Sequence, residues 1–146
     1  MEQIPGLRIR NMTDGDMVSI VEIDRKIVGA DRDWPQRASS HFSTYHAPLS
    51  FIAEVEGKVV GFIIGDIRGA EYALPLSGWL DIMGVEPSYQ GKGIGRKLME
   101  AFVRGCRERG VKARVLFDEG NQRLKGFLTS AGFGRGNLVE FVRGFN

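Results

Sequence analysis

The sequence predicts a single α/β domain, residues 1–146, built on a mixed sheet. Two observations carry this. Residues 50–55 and 58–65 are apolar, β-prone runs flanking Glu56-Gly57, and together they read as an antiparallel hairpin. Further on, 78–85 reads as a strand, 94–109 as a helix and 111–117 as a strand, an order that implies a parallel, right-handed crossover. At 146 residues the chain is long enough to bury a substantial core in one unit.

Taken in order, residues 7–10 form a short strand. Thr13-Asp14-Gly15-Asp16 then has the form of a capping box, with Asp16 where Glu is usual. Behind it Met17, Ile20, Val21, Ile27 and Val28 share one helical face, and Asp24 lies in the middle of that stripe. Residues 29–49 show little periodicity. A charged turn, Asp31-Arg32-Asp33-Trp34-Pro35, precedes a short second helix at 36–45, and His41 and His46 lack metal-ligand spacing.

The second hairpin arm, 58–65, is nearly all apolar, so it is expected at the centre of the sheet, covered on both faces. Residues 67–77 make a loop closed by Pro75. In the helix from Ile94, one side carries Leu98, Met99, Ala101, Phe102 and Cys106. The other carries Arg96, Lys97, Glu100, Arg104, Arg107 and Glu108, so this helix packs on the sheet. Cys106, on the buried side, reads as a small hydrophobe. A further helix places Leu124, Phe127, Leu128 and Ala131 on one face and ends at Gly132-Phe133; residues 138–143 follow as a last strand.

Composition excludes several classes. A net charge of +2, without a Lys/Arg block, argues against a nucleic-acid partner. No apolar run reaches the ~20 residues that span a bilayer, so no membrane partner is expected. The first residues lack the regions of a signal peptide, and one cysteine makes no internal disulfide. A reducing, cytoplasmic setting is the expectation.

Between the strand 78–85 and the helix from Ile94 lies Gln90-Gly91-Lys92-Gly93-Ile94-Gly95-Arg96. Glycines at alternate positions let backbone amides approach a ligand, and the helix behind them presents unbonded N–H groups and its positive dipole end. This is an anion site, most often one for phosphate. The dinucleotide fingerprint needs a third glycine where Arg96 or Leu98 stands, and the ATP/GTP loop needs Ser or Thr where Gly93 stands.

The arrangement Val85-x-Pro87, then Gln90-x-x-Gly93-x-Gly95, then a helix, resembles the acetyl-CoA loop of the GCN5-related N-acetyltransferase (GNAT) superfamily. Asn121 followed by Gly132-Phe133 matches that superfamily's spacing, so the likeness runs from about Trp79 to Phe133. The resemblance implies a mostly antiparallel central sheet with one parallel strand–helix–strand unit, flanked by about four helices. It implies acetyl-CoA as co-substrate, its diphosphate on the amides of Gly91, Lys92, Gly93, Ile94, Gly95 and Arg96. The pantetheine arm would lie along Met83, Gly84 and Val85, with Gln90, Asn121 and Phe127 close by. Gly84 is expected as a bulge that splays the strands, and residues 29–49 as a wall of the acceptor pocket. A homodimer is common in the family, without a mark of it in this sequence.

Two positions depart from the family. The tyrosine that serves many members as general acid is replaced by Leu128, and the glutamate base of the ribosomal-protein N-terminal acetyltransferases by Leu116. Both residues are incapable of proton transfer, which argues against a ribosomal-type enzyme and leaves the acid unassigned. The expected reaction is direct attack of an amine, small-molecule or peptide, on the thioester. For the base Asp81 ranks first, because period-2 alternation puts it on the face of Met83 and Val85; Glu54 ranks second and Asp24 third. Rival readings are a non-catalytic CoA or acyl-CoA sensor and a nucleotide-dependent oxidoreductase with a degenerate fingerprint.

Overall fold

The computed structural model describes residues 4–29, 48–69 and 71–145. Five strands form one sheet in the order of the chain: β1 (Leu7–Asn11), β2 (Phe51–Val55), β3 (Lys58–Arg68), β4 (Ser77–Val85) and β5 (Lys112–Val115). The first four pair antiparallel and β4–β5 is parallel. Among the described residues three α-helices flank it: α1 (Met17–Val28), α2 (Ile94–Glu108) and α3 (Gln122–Ser130). Among the described residues no helix is long and apolar enough to cross a membrane. The expected second helix, 36–45, and both histidines lie outside the described residues, as does most of the expected pocket wall.

Alternation along the strands sends side chains into two cores. One packs Ala53, Val60, Ile63 and Leu80 against Ile94, Leu98, Met99, Phe102 and Cys106 of α2. The other packs Ile52, Phe62 and Ile64 against Met17, Ile20 and Ile23 of α1. β3 is therefore covered on both faces, as its apolar run requires. In α1 the buried stripe is Met17, Ile20, Ile23 and Asp24, while Ile27 and Val28 are half exposed. The buried stripe thus runs through Ile23 and Asp24 rather than Val21 and Val28, and the helix stops at Gly29, in the left-handed region.

Thr13 and Asp16 close the expected capping box: Thr13 N–H donates to Asp16 Oδ2 at 2.8 Å and its hydroxyl to the same oxygen at 3.1 Å. The sequence did not show the tertiary partner. Arg10 on β1 forks onto both Asp16 oxygens at 2.9 and 2.8 Å and reaches Glu54 Oε2 through Nε at 3.1 Å. The Arg10 hydrogen bonds hold the Asp16 carboxyl below its ordinary value, against a burial that would raise it, and the two carboxylates raise Arg10 in turn. A carboxylate with a lowered folded pKa stabilises the fold above its unfolded value of ~3.9, and that contribution is lost as pH falls through the lowered one. Asp16→Asn should cost about 1–3 kcal/mol at pH 7. The gap to the native chain should narrow by pH 3 in urea melts; a gap independent of pH would refute the linkage.

Two expectations about strands fail. The 138–143 stretch is not a strand of this sheet: Val139, Phe141 and Val142 are 76%, 95% and 83% exposed. Nothing local forbids pairing there, but among the described residues the stretch pairs with no strand of the sheet. β5 also ends at Val115, short of Phe117. The physical reason lies in β4, described next.

Candidate functional site

Pairing of β4 with β3 slips by one residue. Ile64 faces Ile82 and Gly65 faces Leu80, leaving Asp81 as the extra residue of a β-bulge. The bulge is thus at Asp81, and the expectation of one at Gly84 is corrected: Gly84 sits in register with Phe62. Gly84 is required for space instead, since a Cβ there would meet Ile27 Cδ1 at 2.9 Å and the Phe62 ring at 3.0 Å. The bulge bends β4 away from β5, whose last partner is Leu80, opposite Val115. From Asp81 to Val85 the β5-facing edge of β4 has no strand partner among the described residues.

The bulge also re-aims Asp81. Leu80, Met83 and Val85 pack on the α2 side. Asp81 instead joins Arg68, which donates to its two oxygens at 3.0 and 2.8 Å and lies over the Trp79 ring, 5.9 Å from its centroid. The expected shared face with Met83 and Val85 does not exist, because the extra residue breaks the period-2 count.

The glycine turn follows a short 3-10 turn at Pro87–Tyr89. Gly91 and Gly93 take φ of +79° and +86°, conformations that L side chains resist, and Gly93 caps α2. No side chain caps this helix, so its first-turn amides are available to a ligand. Lys92 and Arg96 are exposed beside them. A Cβ on Gly95 would lie 3.7 Å from Met83 Cε and 3.9 Å from the Phe127 ring. The fold therefore brings Met83 of β4, Gly95 of α2 and Phe127 of α3 to one place, where the open β4 edge meets the amide turn.

Gln90 and Asn121 serve the scaffold as well. Gln90 Nε2 donates to the Val85 carbonyl at 3.0 Å, and Asn121 Oδ1 accepts the Leu124 N–H at 3.0 Å as the cap of α3. Beside Phe127 a hollow of about 310 Å³ lies between α2 and α3, lined by Arg96, Met99, Glu100, Val103, Arg104 and Arg107, with Ser130 and Ala131 opposite. The sequence places Arg104 and Arg107 on the charged side of α2 and gives them no role. The missed signal was a second stripe, Arg96, Glu100, Val103 and Arg107, spaced at helical period on that face.

The carboxylates are dispersed. Asp81 stands where β4 and β5 part. Glu54 is two strands from β4, roughly 10 Å in sheet spacing, and its carboxylate is tied to Arg10 and to Arg8 at 3.5 Å. Asp24 is buried on α1. Nearby, Lys26 of α1 pairs with buried Glu86 just past β4 at 2.7 Å. Leu128 is a core residue and Leu116 is exposed. Burial raises the Cys106 thiol, against a smaller opposing effect of Arg109, which suits its place in the core.

Comparison with known proteins agrees with this geometry. The mycothiol acetyltransferase of Propionibacterium freudenreichii subsp. shermanii is 42% identical over 138 residues, covering 88% of this chain and 43% of that protein. That of Saccharomonospora viridis is 28% identical over 127 residues, covering 80% and 42%. The chain thus spans less than half the length of these curated relatives. Among solved structures, aminoglycoside N-acetyltransferase AAC(6')-Iy in complex with CoA superposes with a TM-score of 0.80 at 19% identity, over 97% of this chain and 99% of that one. A possible acetyltransferase from Clostridium difficile 630 gives 0.77 at 16% identity, over 96% and 98%. At such identities these likenesses establish the fold. Residues 14–133 match the family described as "Acetyltransferase (GNAT) family", and the chain belongs to it.

Proposed function

We propose that the chain is an N-acetyltransferase, moving an acetyl group from acetyl-CoA to an amine acceptor by direct attack in a ternary complex. One observation carries the reading: two backbone surfaces without a partner among the described residues, the glycine turn at 91–96 and the β5-side edge of β4 beyond Leu80, meet at Met83, Gly95 and Phe127. The first fits a diphosphate, the second an amide-bearing arm. Bound there, acetyl-CoA supplies an activated thioester.

The chain's own groups do the rest. Amides of Gly91 to Arg96, with Lys92 and Arg96, hold the diphosphate, and Arg104 and Arg107 extend the cationic surface along the hollow. Met83, Gly84 and Val85 offer main-chain partners to the arm, and Asn121 keeps its side-chain NH2 for it. An N–H of the open β4 edge faces the carbonyl oxygen as negative charge develops there. The amine nitrogen displaces the thiolate and gives its proton to Asp81, directly or through water, as Arg68 yields one oxygen. A thiol pKa near ~8.5 makes the thiolate a fair leaving group, so the absence of a tyrosine at Leu128 is tolerable. Glu54, held in the arginine network, serves the scaffold in this reading.

The names of the relatives support a small-molecule amine as acceptor, and Asp81 at the opening supports a cationic one; a peptide amine is the alternative to test. The acting unit is a pair of identical chains, each with its own slot. The test is release of free thiol from acetyl-CoA over a panel of aminoglycosides, other small amines and peptide N-termini. Turnover is expected with small cationic amines. Asp81→Asn should lower kcat by about 10²-fold with KM for acetyl-CoA unchanged; an unchanged kcat removes Asp81 from the reaction. The buried Leu128 favours one other reading, a CoA sensor, which would bind without turnover. No binding at millimolar acetyl-CoA would sink both.

A further inference from the structure

The Asp81 carboxylate and the proposed cofactor slot lie on opposite faces of the sheet. Met83 and Val85 turn toward α2, where the slot runs past Gly95 and Phe127. On β3, Gly65 and Ile67 lie on that same side, while Ile64 packs toward α1. Alternation from Ile64 puts Asp66 and Arg68 on the α1 side. Arg68 holds both Asp81 oxygens there and lies over the Trp79 ring. An amine that gives its proton to Asp81 therefore arrives from the α1 side, past Trp79.

Trp79 is 3% exposed, too deep to meet an acceptor itself. Against it stands Tyr72, its ring centroid 5.9 Å away and the two planes inclined by 52°. Tyr72 is 62% exposed, so its ring rests on Trp79 and is still offered to solvent. The backbone beneath it is not relaxed. Tyr72 and Ala73 take φ of +54° and +58°, two successive non-glycine residues in the left-handed region. Such conformations persist where the surroundings over-determine them, and they gather at ligand clamps. Here both ends of the β3–β4 connection are fixed. Leu76 closes on Gly69, 3.3 Å from where a Cβ would stand. Ser77 donates to the Pro75 carbonyl at 2.7 Å and accepts from Arg114 at 2.8 Å.

We infer that Tyr72 is a specificity-determining residue for the acceptor: its ring receives the body of an amine whose reacting nitrogen is at Asp81, and it selects small molecules that carry a second ammonium group. The inference deepens the acetyl-transfer reading above and rests on it. Strand spacing sets the size of the acceptor. Trp79 and Asp81 are about 7 Å apart along β4, and Tyr72 belongs to the connection that precedes Trp79. A molecule that reaches both Asp81 and Tyr72 thus has a ring or chain of several atoms behind its reacting nitrogen. Charge selects within that class. Asp66, opposite Trp79 in the β3–β4 pairing, adds a second carboxylate to this face. An aromatic face attracts a cation within ~6 Å, as Trp79 does with Arg68. A short monoamine, once at Asp81, leaves Tyr72 untouched; a diamine places its second ammonium on the ring.

The test follows thiol release from acetyl-CoA with the full chain. Ethylamine is the short probe; the di- and polyamines of the panel, spermidine and bis(aminomethyl)cyclohexane among them, are the extended ones. Tyr72→Ala should raise KM for the extended amines about 10-fold, with kcat, KM for acetyl-CoA and KM for ethylamine unchanged. Tyr72→Phe keeps the ring and should rescue. Tyr72→Leu keeps an apolar cover on Trp79 without an aromatic face, so it should match Tyr72→Ala in KM at the native melting temperature. An unchanged KM for extended amines in a folded Tyr72→Ala or Tyr72→Leu chain overturns the inference. An equal rise for ethylamine also overturns it, since that marks a structural role. Native turnover of monoamines alone overturns it too and leaves acetyl transfer standing. Absence of thiol release from the native chain with every amine overturns the acetyl-transfer reading itself, and the inference falls with it.

Discussion

Gly95→Leu is expected to give a folded protein that has lost acetyl-CoA. Position 95 is in the first turn of α2, and a Cβ there meets Met83 and Phe127 only at ordinary contact distance, 3.7 and 3.9 Å. The fold itself therefore accepts a side chain, and replacing glycine within a helix adds up to about 1 kcal/mol of backbone preference. The leucine branch, however, projects between Met83 and Phe127, into the gap that the proposed arm occupies between turn and strand. Affinity for acetyl-CoA by calorimetry should fall at least about 100-fold, near 2.7 kcal/mol, while the thermal midpoint stays level or rises. Native affinity in a folded variant would mean that the gap is not the cofactor slot. Gly95→Ala, which adds one methyl group, should lie between.

The largest loss of stability should come from Gly65→Ala. A methyl group at this position of β3 would sit 2.5 Å from Phe102 and 2.9 Å from the Trp79 carbonyl oxygen. Phe102 is buried in the packing of α2 on the sheet, and the second neighbour is backbone of β4, so neither can step aside cheaply. Overpacking of this kind costs about 1–3 kcal/mol, and for a chain of this size roughly 3–4 °C per kcal/mol. A melting point lowered by about 5–10 °C is expected. Gly91→Ala is the control for glycine loss as such: no atom lies within 4 Å, and only its φ of +79° opposes the change. Equal losses at both positions would show that α2 does not press on β3 here.

The site divides in the same way as these two predictions. Gly91, Gly93 and Gly95 were legible because a turn between a strand and a helix is a local matter, specified within a few residues. The position of Asp81 was not, because a bulge is a property of two paired strands and the count along one strand cannot reveal it. Arg107 was readable in principle from the second stripe on α2, with Arg104 one turn beyond Glu100 on the same side. They become part of a site only when α3 packs opposite. Arg10 could not have been joined to Asp16 and Glu54 from spacing alone, since the link crosses from strand to strand and from strand to turn.

By itself, then, the sequence determined the hairpin, the crossover unit, the buried side of α2, the capping box at Thr13 and the glycine turn that leads into α2. All of these follow from periodicity, turn chemistry and backbone preference over short distances in the chain. Only the tertiary structure decided where β4 leaves β5, which way Asp81 points, and that residues 138–143 stay off their own sheet. Those outcomes depend on register and on competition between distant segments for the same edge, and no local preference encodes them.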